Sequence, residues 1–90
     1  MDLAAFRVTR NGRNVHLGPT VFQLLRFLMQ HPNRIFSREE IIHEIWGAAT
    51  AVDSRTVDVH VRRLRDAITN EGEPDVIRTV RTAGYALDVE

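Results

Sequence analysis

The chain has 90 residues, 43% of them hydrophobic and 27% charged, which fits one soluble globular domain with a single modest core. It contains no cysteine, which excludes disulfides and thiolate metal sites; it also has no apolar run of membrane-spanning length and no signal-peptide pattern at its N-terminus. Net charge is zero, which argues against an indiscriminate polyanion binder, yet all 12 basic residues are arginine. That usage suits bidentate contact with phosphate and guanine, and equally follows from a base composition that favours arginine codons.

Phe6-Arg7-Val8-Thr9-Arg10 and Arg13-Asn14-Val15-His16-Leu17 alternate around Asn11-Gly12, the signature of a tight antiparallel hairpin. Leu3 to Phe6 reads as the remnant of a preceding strand. Gly18-Pro19 then opens a helix, with proline at its tolerated first position. Val21, Phe22, Leu24, Leu25, Leu28 and Met29 recur at helical spacing until His31-Pro32 ends the run, and Met29 reads as core filler.

Arg34-Ile35-Phe36 is a short extended piece. Ser37-Arg38-Glu39-Glu40 fits a capping box, and Phe36 with Ile41 fits a hydrophobic staple. Ile41, Ile42, Ile45 and Trp46 form the apolar face of this second helix, and Gly47 stops it. Ala48 to Asp53 is a small-residue loop. Asp53 or Ser54 caps a third helix running to about Asn70, with Asn70 or Gly72 available as a left-handed stop.

In that third helix Val57, Val61, Leu64 and Ile68 form a narrow apolar stripe. Its opposite side carries Arg55, Thr56, Val59, Arg62 and Arg63, with His60 and Arg65 on the shoulders. Such a face fits a DNA major groove, and by charge pattern alone it also fits a solvated amphipathic helix. After the polar turn Glu71 to Asp75, Val76 to Arg81 and Tyr85 to Val89 read as two strands around Thr82-Ala83-Gly84. The expected fold is α+β, a winged helix-turn-helix: three helices, a small N-terminal antiparallel sheet with its first strand truncated, and a C-terminal hairpin wing. In that arrangement the last helix lies in the major groove and the hairpin reaches a neighbouring groove or the backbone.

Arg55-Thr56-Val57-Asp58-Val59-His60-Val61-Arg62-Arg63-Leu64-Arg65 resembles the recognition helix of the OmpR/PhoB family of response-regulator effector domains. So do Leu24-Leu25-Arg26-Phe27-Leu28-Met29-Gln30-His31-Pro32, Phe36-Ser37-Arg38-Glu39-Glu40, Ile45-Trp46-Gly47, and Thr79-Val80-Arg81 with Gly84-Tyr85. The similarity covers about Phe6 to Leu87 and is greatest to the family's phosphate-regulon members. It implies that residues 1–90 form one DNA-binding effector domain, normally fused behind a phosphorylatable receiver domain. The implied role is transcription control, with activation the expected sense, in the bacterial cytoplasm, on direct-repeat double-stranded DNA occupied by a second copy in tandem.

Carried over by motif, Arg63 and Val59 match base-reading positions in the major groove, and Arg81 and Thr79 match the wing's reading contacts. Arginine suits guanine and a narrow minor groove, and valine suits a thymine methyl. Trp46, Arg55, Thr56, His60, Arg62, Arg65, Thr82 and Tyr85 match backbone-contacting positions. Each has a plainer reading: Trp46 as core, Arg65 as a stem packed on the apolar stripe, His60 as an ordinary surface histidine, Tyr85 as a packed ring. Gly47, Ala48, Ala49, Thr50, Ala51, Val52 and Asp53 correspond to the segment through which activators of this family touch the RNA polymerase sigma subunit. Three departures stand out. Val21 replaces a glutamate that caps the first helix in the family, Thr82 replaces a wing glycine, and the chain begins near the end of the first of four N-terminal strands.

Catalytic readings fail on spacing. His43-Glu44 begins like a zinc-protease helix, but Gly47 stands where the second histidine must be. The four histidines have no metal-ligand spacing, and neither a nucleophile elbow nor a phosphate-cradling glycine loop occurs. No cofactor, metal or membrane is expected. The alternative from another class is a winged-helix protein-interaction module that does not bind DNA, which zero net charge and the altered wing would suit.

Overall fold

The computed structural model describes residues 7–10, 12–47, 51–70 and 72–88. Its elements run β1 Arg7–Arg10, β2 Arg13–His16, α1 Pro19–Gln30, α2 Arg38–Trp46, α3 Ser54–Ile68, β3 Ile77–Val80 and β4 Gly84–Leu87. β1 pairs antiparallel with β2, Val8 opposite Val15, and β3 pairs antiparallel with β4, Thr79 opposite Tyr85. This is the expected α+β winged helix. The expected strand remnant before Arg7, together with Asn11 and Val89, lies outside the described residues.

Local chemistry sets most of the boundaries. α1 starts with Pro19 at its first turn; its N-cap, Gly18, offers no side-chain bond, and the first turn carries no acid, in keeping with valine at position 21. α2 has a complete capping box: Ser37 Oγ accepts from the Glu40 amide at 3.1 Å, and Glu40 Oε1 accepts from the Ser37 amide at 3.0 Å. The staple residues Phe36 and Ile41 are both buried, which fixes the angle at which the chain enters α2. Gly47 closes the helix at φ 95°, a backbone conformation that costs glycine little. α3 is capped by Asp53, whose carboxylate accepts from the Arg55 amide at 2.7 Å.

The core lies where the three helices meet. Leu24 and Leu28 of α1, Ile41 of α2, and Val57, Val61 and Leu64 of α3 are completely buried. Each such side chain contributes about 1.5–3 kcal/mol relative to exposure. The hairpins complete the core with Val8, Val15 and Leu17, and with Ile77, Tyr85 and Leu87.

β4 is buried along its whole length because the extended piece before α2 pairs with its free edge. Phe36 N donates to Tyr85 O at 2.8 Å, Tyr85 N to Phe36 O at 2.9 Å, and Asn33 N to Leu87 O at 2.8 Å. The wing is thereby tied to the start of α2.

Three expectations need correcting. Met29 is 45% exposed and is not core: it lines the rim of a shallow apolar cleft with Leu25, Ile68 and Val76. α3 stops at Ile68 with Thr69 in extended conformation, so neither Asn70 nor Gly72 supplies its stop. Two arginines of the N-terminal hairpin do so instead. Arg10 and Arg13 both donate to the Ile68 carbonyl, at 2.6 and 3.1 Å, and both ion-pair with Glu73. Cations at a helix C-terminus meet its unpaired carbonyls and the negative end of its dipole. Finally, the wing strands are shorter than expected, leaving Arg81 in the turn and placing Gly84 in β4.

Candidate nucleic-acid interface

α3 is held by its apolar stripe, so its outer side is fixed by periodicity. Val57, Val61, Leu64 and Ile68 are buried, and Arg55, Arg62 and Arg63 are exposed on the other side, with Val59 45% exposed among them. Arg81, Thr82 and Thr79 are likewise exposed, on the wing. Thr82 has φ 70°, a left-handed conformation that favours glycine. The turn's path is therefore compatible with threonine, at a cost of about 1–3 kcal/mol for a non-glycine residue in this region.

Charge pairing divides the arginines into two sets. Arg10 and Arg13 are bound to Glu73, Arg34 to Glu40, Arg38 to Asp58, Arg65 to Asp75 and Arg78 to Asp88. Arg55, Arg62, Arg63 and Arg81, together with Arg26 of α1, have no carboxylate or carbonyl partner among the described residues. Four of these five lie on the outer side of α3 and on the wing turn. A chain of zero net charge thus presents an unneutralised cationic patch on its recognition helix and wing, which suits a phosphate backbone.

Other residues matched to backbone contacts sit differently. Trp46 is half-buried, its ring edge-on to that of His60 at 5.1 Å, so core and surface roles coincide in it. His60 Nδ1 lies 2.7 Å from the Thr56 carbonyl. A carbonyl only accepts, so Nδ1 is the donor and Nε2 is left without that bond. Arg65 is engaged within the protein: it donates to the Ile77 carbonyl at 2.8 Å and to Thr79 Oγ1 at 3.0 Å. Its Nε lies 2.6 Å from the Asp75 carboxylate, an ion pair rather than an aligned hydrogen bond. Tyr85 is 5% exposed, and its hydroxyl donates its single proton to Asp58 at 2.5 Å. A phosphate oxygen also only accepts, so this hydroxyl can serve a phosphate only by leaving Asp58.

Of the loop matched to polymerase contact, Gly47 and Val52 are half-buried and Ala51 and Asp53 exposed; Ala48, Ala49 and Thr50 lie outside the described residues. Among the described residues no group of acids and histidines could hold a metal ion, and no helix is long and apolar enough to cross a membrane.

Sequence reasoning missed one constellation. Asp58 Oδ1 accepts from Arg38 Nε at 2.7 Å as well as from Tyr85, and the Arg38 guanidinium lies over the Tyr85 ring, 5.0 Å from its centre. Arg38 opens α2, Asp58 is on α3 and Tyr85 is on the wing, so three elements meet there. Burial pushes the Asp58 carboxyl up, but the hydrogen bonds from Tyr85 and Arg38 outweigh it and hold the group below the usual aspartate range. Burial and the bond to Asp58 push the Tyr85 phenol up, and the bond to Asp58 pushes the Arg38 guanidinium up. The signal in the sequence was an aspartate, Asp58, standing at helical spacing from both Arg55 and Arg62.

Three helices, a C-terminal hairpin and an unneutralised cationic face on the third helix define a winged helix-turn-helix effector domain. Residues 12–87 match the family described as transcriptional regulatory protein, C terminal. The chain is 54% identical over 88 residues to the phosphate regulon transcriptional regulatory protein PhoB of Rhizobium meliloti, covering 98% of this chain and 39% of that protein. Among solved structures it is similar to the DNA-binding domain of CadC from Escherichia coli, with TM-score 0.87, 32% identity and coverage of 98% and 83% of the two chains. It is also similar to the DNA-binding domain of RstA from Klebsiella pneumoniae in complex with the RstA box, with TM-score 0.78, 34% identity and coverage of 91% and 82%. The chain belongs to the OmpR/PhoB-type family of response-regulator C-terminal domains.

Proposed function

We propose that this chain binds double-stranded DNA sequence-specifically and regulates transcription as the output domain of a response regulator. The observation that carries the reading is that Arg55, Arg62, Arg63 and Arg81, on the outer side of α3 and the wing turn, have no carboxylate partner among the described residues. Arg63 and Val59 read base edges in the major groove, and Arg81 with Thr79 reads from the wing. Arg55, Thr56, His60, Arg62, Trp46 and Thr82 position the domain on the backbone. Arg65 and Tyr85 act from beneath, holding the wing against α3.

Similarity to PhoB along the whole chain, and the span of 39% of that protein, support a receiver domain as the covalent partner and a phosphate-responsive regulon as the setting. The same similarity supports tandem binding on direct repeats, activation through the 47–53 loop against the polymerase sigma subunit, and a bacterial cytoplasmic location. The test is a microarray of double-stranded sequences followed by salt titration on the best and on random duplexes. The expected result is a preferred motif, with affinity falling steeply as salt rises. Absence of salt-dependent binding to every duplex would overturn the reading in favour of a protein-interaction module.

A further inference from the structure

An acid on a surface built to meet phosphates needs a physical reason. Asp58 sits one residue before Val59, three after Arg55 and four before Arg62. On a helix those two spacings bring side chains together, and an acid four residues before an arginine is the favourable order. Left to itself the Asp58 carboxylate would pair with Arg62 or Arg55 and take a cation from the DNA-facing set. In the structure it does neither: its charge is met by Arg38 Nε at 2.7 Å and by the Tyr85 hydroxyl at 2.5 Å. Arg38 is also held in place by its position over the Tyr85 ring and by a 3.4 Å hydrogen bond to the tyrosine hydroxyl.

We propose that Arg38 and Tyr85 are positioning residues for DNA recognition, which sequester Asp58 and thereby keep Arg62 and Arg55 free for phosphates. Neither residue touches DNA in this role. The three-element contact has a second effect: it makes the start of α2, the recognition helix and the wing move as one unit. The inference rests on the DNA-binding reading above.

The test is a double-mutant cycle read by salt dependence, using the 90-residue chain with its best microarray duplex and a random-sequence duplex. Losing one phosphate contact lowers the slope of log K against log salt by about 0.9, and the affinity by about eightfold near 0.1 M salt. Arg38→Ala is expected to show that loss on both duplexes, and Arg38→Ala with Asp58→Asn to recover the parental slope, because the freed carboxylate is gone. Tyr85→Phe removes a single hydrogen bond and keeps the ring; it is expected to move the slope the same way by a smaller amount, again rescued by Asp58→Asn. This second pair decides the matter if Arg38→Ala fails to fold. A direct DNA contact by Arg38 or a merely structural role predicts no rescue, and a double variant no better than the single one overturns the proposal. Salt-dependent binding by the parent together with a failed rescue rejects this inference alone, whereas a parent that binds no duplex rejects it along with the DNA-binding reading.

Discussion

Gly84 is the position where a single methylene-sized change meets the least forgiving surroundings. A Cβ there would stand 1.8 Å from the Phe36 carbonyl oxygen, 2.7 Å from the Phe36 carbonyl carbon and 2.9 Å from Ser37 Cα. All three are backbone atoms, so no side-chain rotation relieves the clash, and β4 must move off the extended piece before α2. Gly84→Ala then loses the Phe36–Tyr85 pair of hydrogen bonds, about 1 kcal/mol each. It also forces alanine to φ 138°, at about 1–3 kcal/mol. The sum is about 3–5 kcal/mol, a large share of the roughly 5–13 kcal/mol available to a domain of this size. Urea denaturation followed by circular dichroism should show that loss, with a melting temperature lowered by more than about 12 °C. Gly18→Ala is the control, since that glycine has φ −64° and no atom within 4 Å of the added Cβ. It should stay within about 1 kcal/mol of the parent. A Gly84→Ala protein within about 1 kcal/mol of the parent would refute the packing argument.

Four further outcomes are expected. Arg63→Ala should weaken binding to the preferred duplex by about 1–3 kcal/mol and relax one base position, whereas Arg62→Ala should weaken all duplexes alike and lower the salt slope by about 0.9; competition titrations distinguish the two. Thr82→Gly should raise stability by up to about 1 kcal/mol in denaturant titration, because glycine accepts φ 70° without strain and the entropy of the unfolded chain offsets only part of that gain. The Asp58 carboxyl titrates lower in the folded chain than in the unfolded one, so its contribution is complete above the ordinary aspartate range and disappears as pH falls through the folded value; Asp58→Asn should flatten the acid limb of the stability profile. The Tyr85 phenol is shifted up, so its contribution is complete below about pH 10 and disappears as pH rises through the folded value; Tyr85→Phe should remove that alkaline loss, as followed by thermal melts across pH.

What the chain declared in advance was what short-range chemistry decides. The capping box at Ser37–Glu40, the staple at Phe36 and Ile41, the glycine stop at Gly47 and the stripe of α3 all depend on residues within one or two turns, and all four appear as expected. What stayed hidden depends on partners far apart in sequence. The end of α3 is set by Arg10, 58 residues before the carbonyl it binds. The Asp58 contact joins residues 20 and 27 positions away. Met29 has the spacing of a core residue, but the cleft at its side leaves it open. For the interface, motif matching supplied the candidate arginines, but only the ion pairs show which of them are unneutralised.

That distinction bears on how a neutral chain can carry a nucleic-acid face. Arg65 follows Arg63 by two residues on the same helix, yet it is closed off by Asp75, the Ile77 carbonyl and Thr79. Arg38 is likewise closed by Asp58, and Arg10 and Arg13 by Glu73. Five acids, Glu40, Asp58, Glu73, Asp75 and Asp88, are thus bound to arginines outside the set Arg55, Arg62, Arg63 and Arg81, so among the described residues a zero sum coexists with arginines that have no carboxylate within ion-pair distance. Total charge governs long-range attraction to any polyanion, whereas the unpaired subset governs contact at close range. A domain built this way gains little from nonspecific attraction and depends on the fit of Arg55, Arg62, Arg63 and Arg81 to one surface. Neutralising Glu73 or Asp75 should therefore damage the scaffold more than it strengthens DNA binding: Asp75→Asn raises net charge by one, and it should nonetheless leave affinity for random duplexes within about threefold while lowering the melting temperature. A large gain in random-duplex affinity would show that bulk charge governs binding.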